Sequence, residues 1–297
     1  MNNQAFSKIW IVITLIALVA GGIFAWQYFG APKEEISNQD LLSICDKIQN
    51  QKKKNYCYRN VAVTKQDLTA CDKIQDQGEK DFCYIKVAAA KQDLTICDRI
   101  PDENAKDYCV GVVKQDPTIC DKNQDYFWKV ECYYDVAEVT QDPTICDKLP
   151  YQNMKDACYK KVAVAKQDAI ICDKIQDLPE KSACYHNVAT TKQDSTICDK
   201  IPSQTEKDYC IAIVKQDSIL CTKIQDPTAK EDCYYNIATA KQDPTICEKI
   251  PPTHTKKDYC VAITTQDPTR CDEIQNQELK NGCYDSFYYF MSVILSK

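Results

Sequence analysis

The chain has 297 residues, including 20 cysteines, 43 acidic and 37 basic residues, and its formal net charge is −6. Evenly spaced cysteines at this density are typical of disulfide-bonded proteins in an oxidising compartment and argue against scattered cytosolic thiols. No lysine- or arginine-rich stripe is visible, so we do not expect nucleic-acid binding, which requires clustered cations.

The amino-terminal part contains an uncharged apolar stretch, residues 9–29, after a short stub of residues 1–8. About 20 apolar residues are enough for a helix to cross the bilayer core. Lys8 and the free amino terminus precede the stretch, so we expect the stub to remain in the cytoplasm. The pattern predicts a transmembrane signal-anchor from Ile9 to Phe29, with a cleaved signal peptide as the alternative. We therefore expect a single-pass membrane protein whose remaining residues lie at the cell surface or in the periplasm.

Residues 30–39 are a short polar linker, and residues 40–286 carry ten repeats with two cysteines each. The two cysteines are 12 residues apart in nine repeats and 13 apart in one, whereas the interval to the next repeat is 14 or 11. The near-constant inner spacing favours a disulfide within each repeat, and a bond to the first cysteine of the next repeat is the competing connectivity. The favoured pairs are Cys45–Cys57, Cys71–Cys83, Cys97–Cys109, Cys120–Cys132, Cys146–Cys158, Cys172–Cys184, Cys198–Cys210, Cys221–Cys233, Cys247–Cys260 and Cys271–Cys283.

Each repeat has the pattern of two helices joined by a polar loop. Asp142, Asp243 and Asp267 are suited to cap the first helix, and each is followed by a proline, which the first helical position tolerates. The recurrent Lys-Gln-Asp between repeats is interpreted as the end of one helix followed by the cap of the next. From the three- and four-residue spacing of apolar residues we expect about two turns in the first helix and about three in the second.

These patterns predict an all-α fold, a disulfide-stapled α-solenoid of ten helical hairpins after the transmembrane helix. Beyond Cys109, Cys210 and Cys260 the second helix is three residues shorter, which should bend the stack. Residues 65–148 align with residues 166–249 at an offset of 101 without gaps, which indicates that a block of four repeats was copied. If the array stays open, it reaches on the order of 100 Å.

In this architecture the chain resembles α-hairpin solenoids of the tetratricopeptide and Sel1-like kind, although it lacks their sequence signatures. The resemblance covers the stacking of helix pairs and implies no activity. The amino-terminal residues GGIFAWQYFGAPKEE also resemble the signal-anchor and linker of uncharacterised bacterial envelope proteins.

No set of metal-binding, redox or catalytic residues stands out. The chain has no C-x-x-C motif and two histidines, His186 and His254, whereas zinc sites and thiol–disulfide exchange need clustered ligands or close cysteine pairs. Neither histidine has a recurring carboxylate or serine partner, so we expect both to lie on the surface. We therefore predict no catalytic residue, no metal site, no cofactor and no enzymatic activity.

The aromatic residues leave two interpretations open. Most of the 18 tyrosines flank a second cysteine, where they either pack over the disulfides or form a ladder able to bind extended peptide or glycan. In the repeat that begins at Cys120, Asn123 replaces the usual isoleucine, and Tyr126, Phe127 and Trp128 fill the loop. These three aromatic residues are either core filler or an exposed binding site.

The carboxyl-terminal residues 287–297 are largely apolar but too few to span a bilayer. We expect them to form a capping helix on the last repeat, with self-association as the alternative. The predicted function is that of a membrane-anchored extracytoplasmic module that binds an unidentified protein or glycan, or acts as a scaffold. A structural spacer or envelope component without a specific ligand is the alternative.

Overall fold

The computed structural model describes residues 38–251 and 255–296. Over these residues the chain is all-helical, and hairpin-like repeats carry ten disulfides. The predicted stub and signal-anchor, and the linker up to residue 37, lie outside the described residues. Within the described part, no helix combines the length and the apolarity that a membrane crossing requires. The repeats belong to one compact unit that begins at Asn38.

The second helix of each repeat is long, and we number these helices α1–α10 in step with repeats 1–10. Most have 15 residues, which is about four turns rather than three. α3 and α7 have 12 residues and α9 has 11, which confirms the predicted shortening. The bounds are Gln51–Lys65, Gln77–Lys91, Glu103–Lys114, Tyr126–Thr140, Gln152–Lys166, Leu178–Lys192, Gln204–Lys215, Pro227–Lys241, Thr255–Thr265 and Gln277–Ser296.

The first helix has nine residues in repeat 1, over Asn38–Asp46. In the other repeats it is shorter, with four to six residues, and in six of them it is a 3₁₀-helix. The chain becomes extended at the apolar residue three positions after the first cysteine, as at Ile100, whose side chain is buried. The remaining bounds are Thr69–Asp72, Leu94–Arg99, Pro117–Cys120, Pro143–Lys148, Ile171–Lys174, Ser195–Lys200, Leu220–Lys223, Pro244–Cys247 and Pro268–Glu273.

The predicted capping is confirmed at both ends of the helices. The Asp142 carboxylate accepts the N–H of Thr144, and proline occupies the first helical position. The glutamine that ends a long helix adopts the left-handed conformation, with φ of 54° at Gln141. Asp142 then donates its N–H to the Ala137 carbonyl, 3.1 Å away, which completes a Schellman motif. Among the described residues nine glutamines have this conformation, a feature that sequence analysis missed.

In the structure each disulfide joins the short and long helices of one repeat, with Cα atoms 5.6 to 5.8 Å apart. All twenty cysteines are bonded, and their side chains are buried in the centre of the repeat. Closing a loop of this length stabilises a fold by about 3 kcal/mol in the chain-entropy model. The disulfides therefore compensate for the small core of each hairpin.

Tyrosines that follow the second cysteine pack over the disulfide and link adjacent repeats. The Tyr185 hydroxyl donates to the Asp173 carboxylate of the same repeat. Lys200 of the next repeat lies over the Tyr185 ring, 5.4 Å from its centroid, and pairs with Asp173 at 3.5 Å. Packing is thus the role of these tyrosines, all 4% to 6% exposed: Tyr58, Tyr84, Tyr133, Tyr159, Tyr185 and Tyr234.

The array does not stay open, because α10 packs against α1 and against the short helix of repeat 1. The Asp285 carboxylate of α10 accepts the backbone N–H groups of Gln49 and Asn50 at 2.6 and 3.1 Å. We call this contact the seam. Residues 287–296 are the carboxyl-terminal half of α10 rather than a separate capping helix. The ten repeats therefore form a closed circuit, so the condition for an extended array of about 100 Å is not met.

The seam resembles an internal junction displaced by one helical turn. Between repeats 5 and 6, Asp156 accepts two backbone N–H groups of the next loop, and this residue lies two positions before the second cysteine of its repeat. At the seam, Asp285 accepts the corresponding N–H groups, but it lies two positions after the second cysteine of its repeat. At the junction of repeats 5 and 6, a lysine of the following repeat lies over the ring of Tyr159. At the seam the corresponding lysine lies over Tyr288, which is four residues further along its helix relative to the second cysteine. Four residues correspond to about 6 Å along a helix. This displacement accounts for the 20-residue length of α10, the longest described helix.

Candidate binding groove

Each long helix contacts short helices on one side. Its opposite side faces the inside of the circuit. On this side, side chains of α1, α2, α4 and α5 line a cavity of about 760 Å³, which we call the inner groove. Because α3 is short, side chains of α2 and α4 meet over it. Its principal side chains are Tyr56, Arg59, Phe82, Lys86, Phe127 and Trp128.

Aromatic rings form one wall of the inner groove. Phe82 and Trp128 stack with their centroids 6.1 Å apart, over the fully buried ring of Tyr108. Phe127 contacts the Trp128 ring edge-on but is 56% exposed. Tyr126 is 47% exposed and contacts Tyr151 outside this wall. The structure thus separates the three predicted residues: Trp128 packs over Tyr108 and lines the groove together with Phe127, whereas Tyr126 is not a lining residue.

A buried carboxylate holds the charged side of the inner groove together. Asp135 is 3% exposed and pairs with Lys86 at 2.5 Å and with Lys161 at 3.3 Å. It also accepts the hydroxyl of Tyr108, so this one side chain connects repeats 2, 3, 4 and 5. Although burial opposes ionisation, the two lysines hold the pKa of Asp135 below its ordinary value. Burial and Asp135 together raise the pKa of Tyr108 well above 10, so its hydroxyl stays protonated.

The charges around the inner groove are balanced. The Arg59 guanidinium lies 4.1 Å from the Tyr56 ring centroid and pairs with Glu79 at 3.6 Å. Burial raises the pKa of Glu131 above its ordinary value. The lining cations are Arg59, Lys86 and Lys161, and the lining acids are Asp76, Glu79 and Glu131. The groove therefore presents aromatic faces and polar edges with little net charge.

His186 is half-buried rather than fully exposed. Its ring is partly buried and stacks against Tyr209, with centroids 5.4 Å apart, beside a cavity of about 210 Å³. Burial lowers the pKa of His186, so the imidazole is neutral at pH 7. His254 lies outside the described residues. Across the described part of the chain, no group of histidine, cysteine and acidic side chains is arranged to hold a metal ion.

The copied block provides an internal comparison for the inner groove. At an offset of 101, Tyr108 corresponds to Tyr209 and Asp135 to Asn236, whose amide donates to the Tyr209 hydroxyl at 2.7 Å. The large aromatic rings and the lysine of the first copy have small or neutral counterparts in the second. Phe82 becomes Ala183, Lys86 becomes Asn187, Phe127 becomes Thr228 and Trp128 becomes Ala229, whereas the acids Asp76, Glu79 and Glu131 are retained as Asp177, Glu180 and Asp232.

Asp135 is the functional candidate that sequence reasoning missed. The position of Asp135 within its repeat is occupied by different residue types in the other repeats, so the repeat pattern does not mark it. The exchange of Asp135 for Asn236 within a gapless internal alignment could have identified it. No protein-family model, no curated protein and no solved structure matches this chain.

Proposed function

We propose that this protein is a membrane-anchored extracytoplasmic binding module that holds a glycan in the inner groove. The observation that carries the proposal is the divergence of the two copied blocks. Both keep the residues that build the hairpins, while the first gains Phe82, Phe127 and Trp128 where the second has small side chains. Folding alone does not require these large rings, because the second copy folds without them.

The chemistry of the groove favours a saccharide over a strongly charged polymer. Sugar rings have apolar faces that stack on aromatic rings and hydroxyl edges that hydrogen-bond to polar groups. Phe127 and Tyr56, 56% and 46% exposed, offer rings to such faces. Arg59 and Lys86 place their charged groups at the edges of the groove, where they form ion pairs with Glu79 and Asp135 respectively. A polyanion or polycation finds no large uncompensated charge there.

The cellular location is part of the same proposal. Ten disulfides are consistent with an oxidising compartment, and the apolar residues Ile9–Phe29 supply a signal-anchor with the amino terminus in the cytoplasm. Glycans are abundant ligands in the extracytoplasmic space that this topology exposes to the repeats.

The test is glycan binding by residues 34–297, produced with disulfides in an oxidising compartment. A panel of oligosaccharides is screened, and the strongest is measured by calorimetry. We expect Phe127→Ala to weaken binding about tenfold or more, since one aromatic stacking contact is worth about 1 to 3 kcal/mol. Tyr235→Ala, which removes an aromatic ring of α8 in the second copy, is the matched control and should leave the affinity unchanged.

Two outcomes would redirect the proposal. If no oligosaccharide binds but a protein is retained through the exposed pair Tyr126 and Tyr151, the module is a protein-binding scaffold. If neither glycan nor protein binds, the spacer function without a ligand is favoured.

A further inference from the structure

A second cavity lies at the seam. It has a volume of about 360 Å³ and is lined by Lys52 and Lys53 of α1, by Tyr56, and by Tyr289 of α10. The rings of Tyr56 and Tyr289 contact each other edge to face, with centroids 6.5 Å apart. Both partners of the ring closure therefore contribute to this cavity, which we call the seam pocket.

The two lysines occupy an unfavourable position for a purely structural role. Lys52 and Lys53 are the second and third residues of α1, where the helix dipole disfavours positive charge. Neither forms an ion pair with a described carboxylate, and the Lys53 ammonium contacts the neutral Ser286 hydroxyl at 3.3 Å. Lys256, at the equivalent position of repeat 9, pairs with Asp232 at 2.5 Å. The seam pocket thus combines two cations without the counter-charge that the related lysine has.

The seam pocket adjoins the inner groove. Tyr56 lines both cavities, and Arg59, one turn further along α1, lies over the Tyr56 ring on the groove side. A ligand that lies along the groove can therefore reach the lysines without leaving the inner face of α1. The lining of the groove has nearly balanced charges, whereas the lining of the seam pocket contains two lysines and no acid. The excess positive charge of the two cavities therefore lies in the seam pocket.

We propose that the seam pocket binds the carboxylate or sulfate substituent of an acidic glycan whose uncharged part occupies the inner groove. The anion compensates Lys52 and Lys53 and, because the pocket exists when α10 lies on α1, its binding stabilises the closed circuit. This inference deepens the proposed function and rests on it for the identity of the ligand. The anion site itself is testable without any glycan.

The first experiment uses inorganic sulfate on residues 34–297. The amides of Gln49 and Asn50 donate to Asp285 across the seam, so their hydrogen exchange reports its opening. Sulfate at ten times its dissociation constant should slow their exchange about tenfold if it binds the closed form alone. Chloride at equal ionic strength should not. Equal effects of sulfate and chloride on these amides would overturn the proposal.

Paired variants separate the site from general salt effects. K52A/K53A should abolish the sulfate effect on the Gln49 and Asn50 amides. The matched control K192A/K241A removes two exposed lysines from the ends of α6 and α8 and should retain it. Should K52A/K53A perturb folding, K52Q/K53Q keeps the aliphatic stems and tests the charge alone. A sulfate effect that survives removal of both charges contradicts the proposed site.

The second experiment compares oligosaccharides with their carboxylated or sulfated counterparts. We expect the acidic member of a pair to bind about tenfold more tightly, and K52A/K53A to remove this difference while the neutral member binds unchanged. Neutral binding without an acidic preference would overturn the seam proposal but not the proposed function. Sulfate protection without any glycan binding would keep the anion site and overturn the proposed function.

Discussion

The corners at α3 and α7 have the same backbone and different chemistry. Both helices have 12 residues, and both place a tyrosine, Tyr108 or Tyr209, on the inner face. At α3 the tyrosine is fully buried and donates to the carboxylate of Asp135, whereas at α7 it is partly exposed and bonded to the amide of Asn236. Two helices of equal length therefore have different surroundings, and a few residues around them determine whether a groove forms.

The comparison also shows how the groove is supported. At α3, Lys86 and Lys161 reach Asp135 from two other repeats, so four hairpins share one buried carboxylate. At α7 the corresponding network is a single neutral hydrogen bond. Substitutions at positions related by the offset of 101 can therefore separate what the fold needs from what the groove needs.

The largest effect is expected from exchanging Asn123 and Ile224, which are equivalent in the two copies. Ile224 is fully buried, so Ile224→Asn loses apolar burial and buries an amide, at a cost of about 4 kcal/mol. Asn123 is 4% exposed, and its amide has no hydrogen-bond partner among the described residues. Asn123→Ile should therefore raise the free energy of unfolding by about 1 to 2 kcal/mol. Denaturant unfolding with intact disulfides measures both, and destabilisation by Asn123→Ile would contradict this explanation.

Asp135→Ala should have the next largest effect. The substitution leaves Lys86 and Lys161 without their shared counter-ion, at a cost of about 3 kcal/mol. This is the lower end of the usual cost of breaking a buried ion pair, because both lysines reach solvent. Asn236→Ala, the matched change in the second copy, should cost less than about 1 kcal/mol. Equal losses in guanidinium unfolding would show that the two corners are supported alike.

The Tyr–Asp pairs are common to both copies, so their removal should have equal effects. Burial and Asp72 raise the pKa of Tyr84 to about 12. Since this value exceeds the unfolded value near 10, the contribution of Tyr84 is intact below pH 10 and is lost as the pH rises through about 12. Tyr84→Phe and its counterpart Tyr185→Phe should each cost about 1 kcal/mol at pH 7. Unfolding free energies measured across alkaline pH check this, and each variant should show a smaller alkaline loss than the parent.

The smallest effect is expected where the two copies are identical in both chemistry and backbone. Gln115 and Gln216 end α3 and α7 with φ of 57° and 49°. Glycine adopts this conformation without the steric cost of a Cβ atom, so Gln115→Gly and Gln216→Gly should each stabilise the protein by about 0.5 to 1 kcal/mol. A thermal melt resolves the change, and destabilisation at either site would indicate that the glutamine side chain has a role beyond the cap.

The local fold was predictable because its signals are repeated. The constant cysteine spacing, the Asp caps and the shortened helices all appear in the sequence and in the structure. The length of the first helices was overestimated, since periodicity does not reveal that a buried residue such as Ile100 leaves the helix. Closure was not predictable, because the rotation between repeats results from the packing of small side chains over ten junctions.

The candidate site was only partly predictable. The break in the pattern at Tyr126, Phe127 and Trp128 pointed to the correct repeat, but the partners of these residues come from α1, α2 and α5. Phe82 and Asp135 are ordinary when each is considered within its own repeat. Phe82 contacts Trp128, and Asp135 contacts Lys86, across the shortened helix α3, a consequence of three-dimensional stacking that sequence spacing alone does not reveal.

Closure at the seam also constrains how the chain can evolve. An open solenoid can gain or lose units by recombination between similar repeats, since its ends meet solvent whatever their number. Here the loss of one hairpin would leave a gap of about 10 Å between α10 and α1, and Asp285 could no longer reach the amides of Gln49 and Asn50. The shared pattern of the repeats favours such recombination, while the closed circuit disfavours its products. The number ten is therefore a property of the fold as a whole.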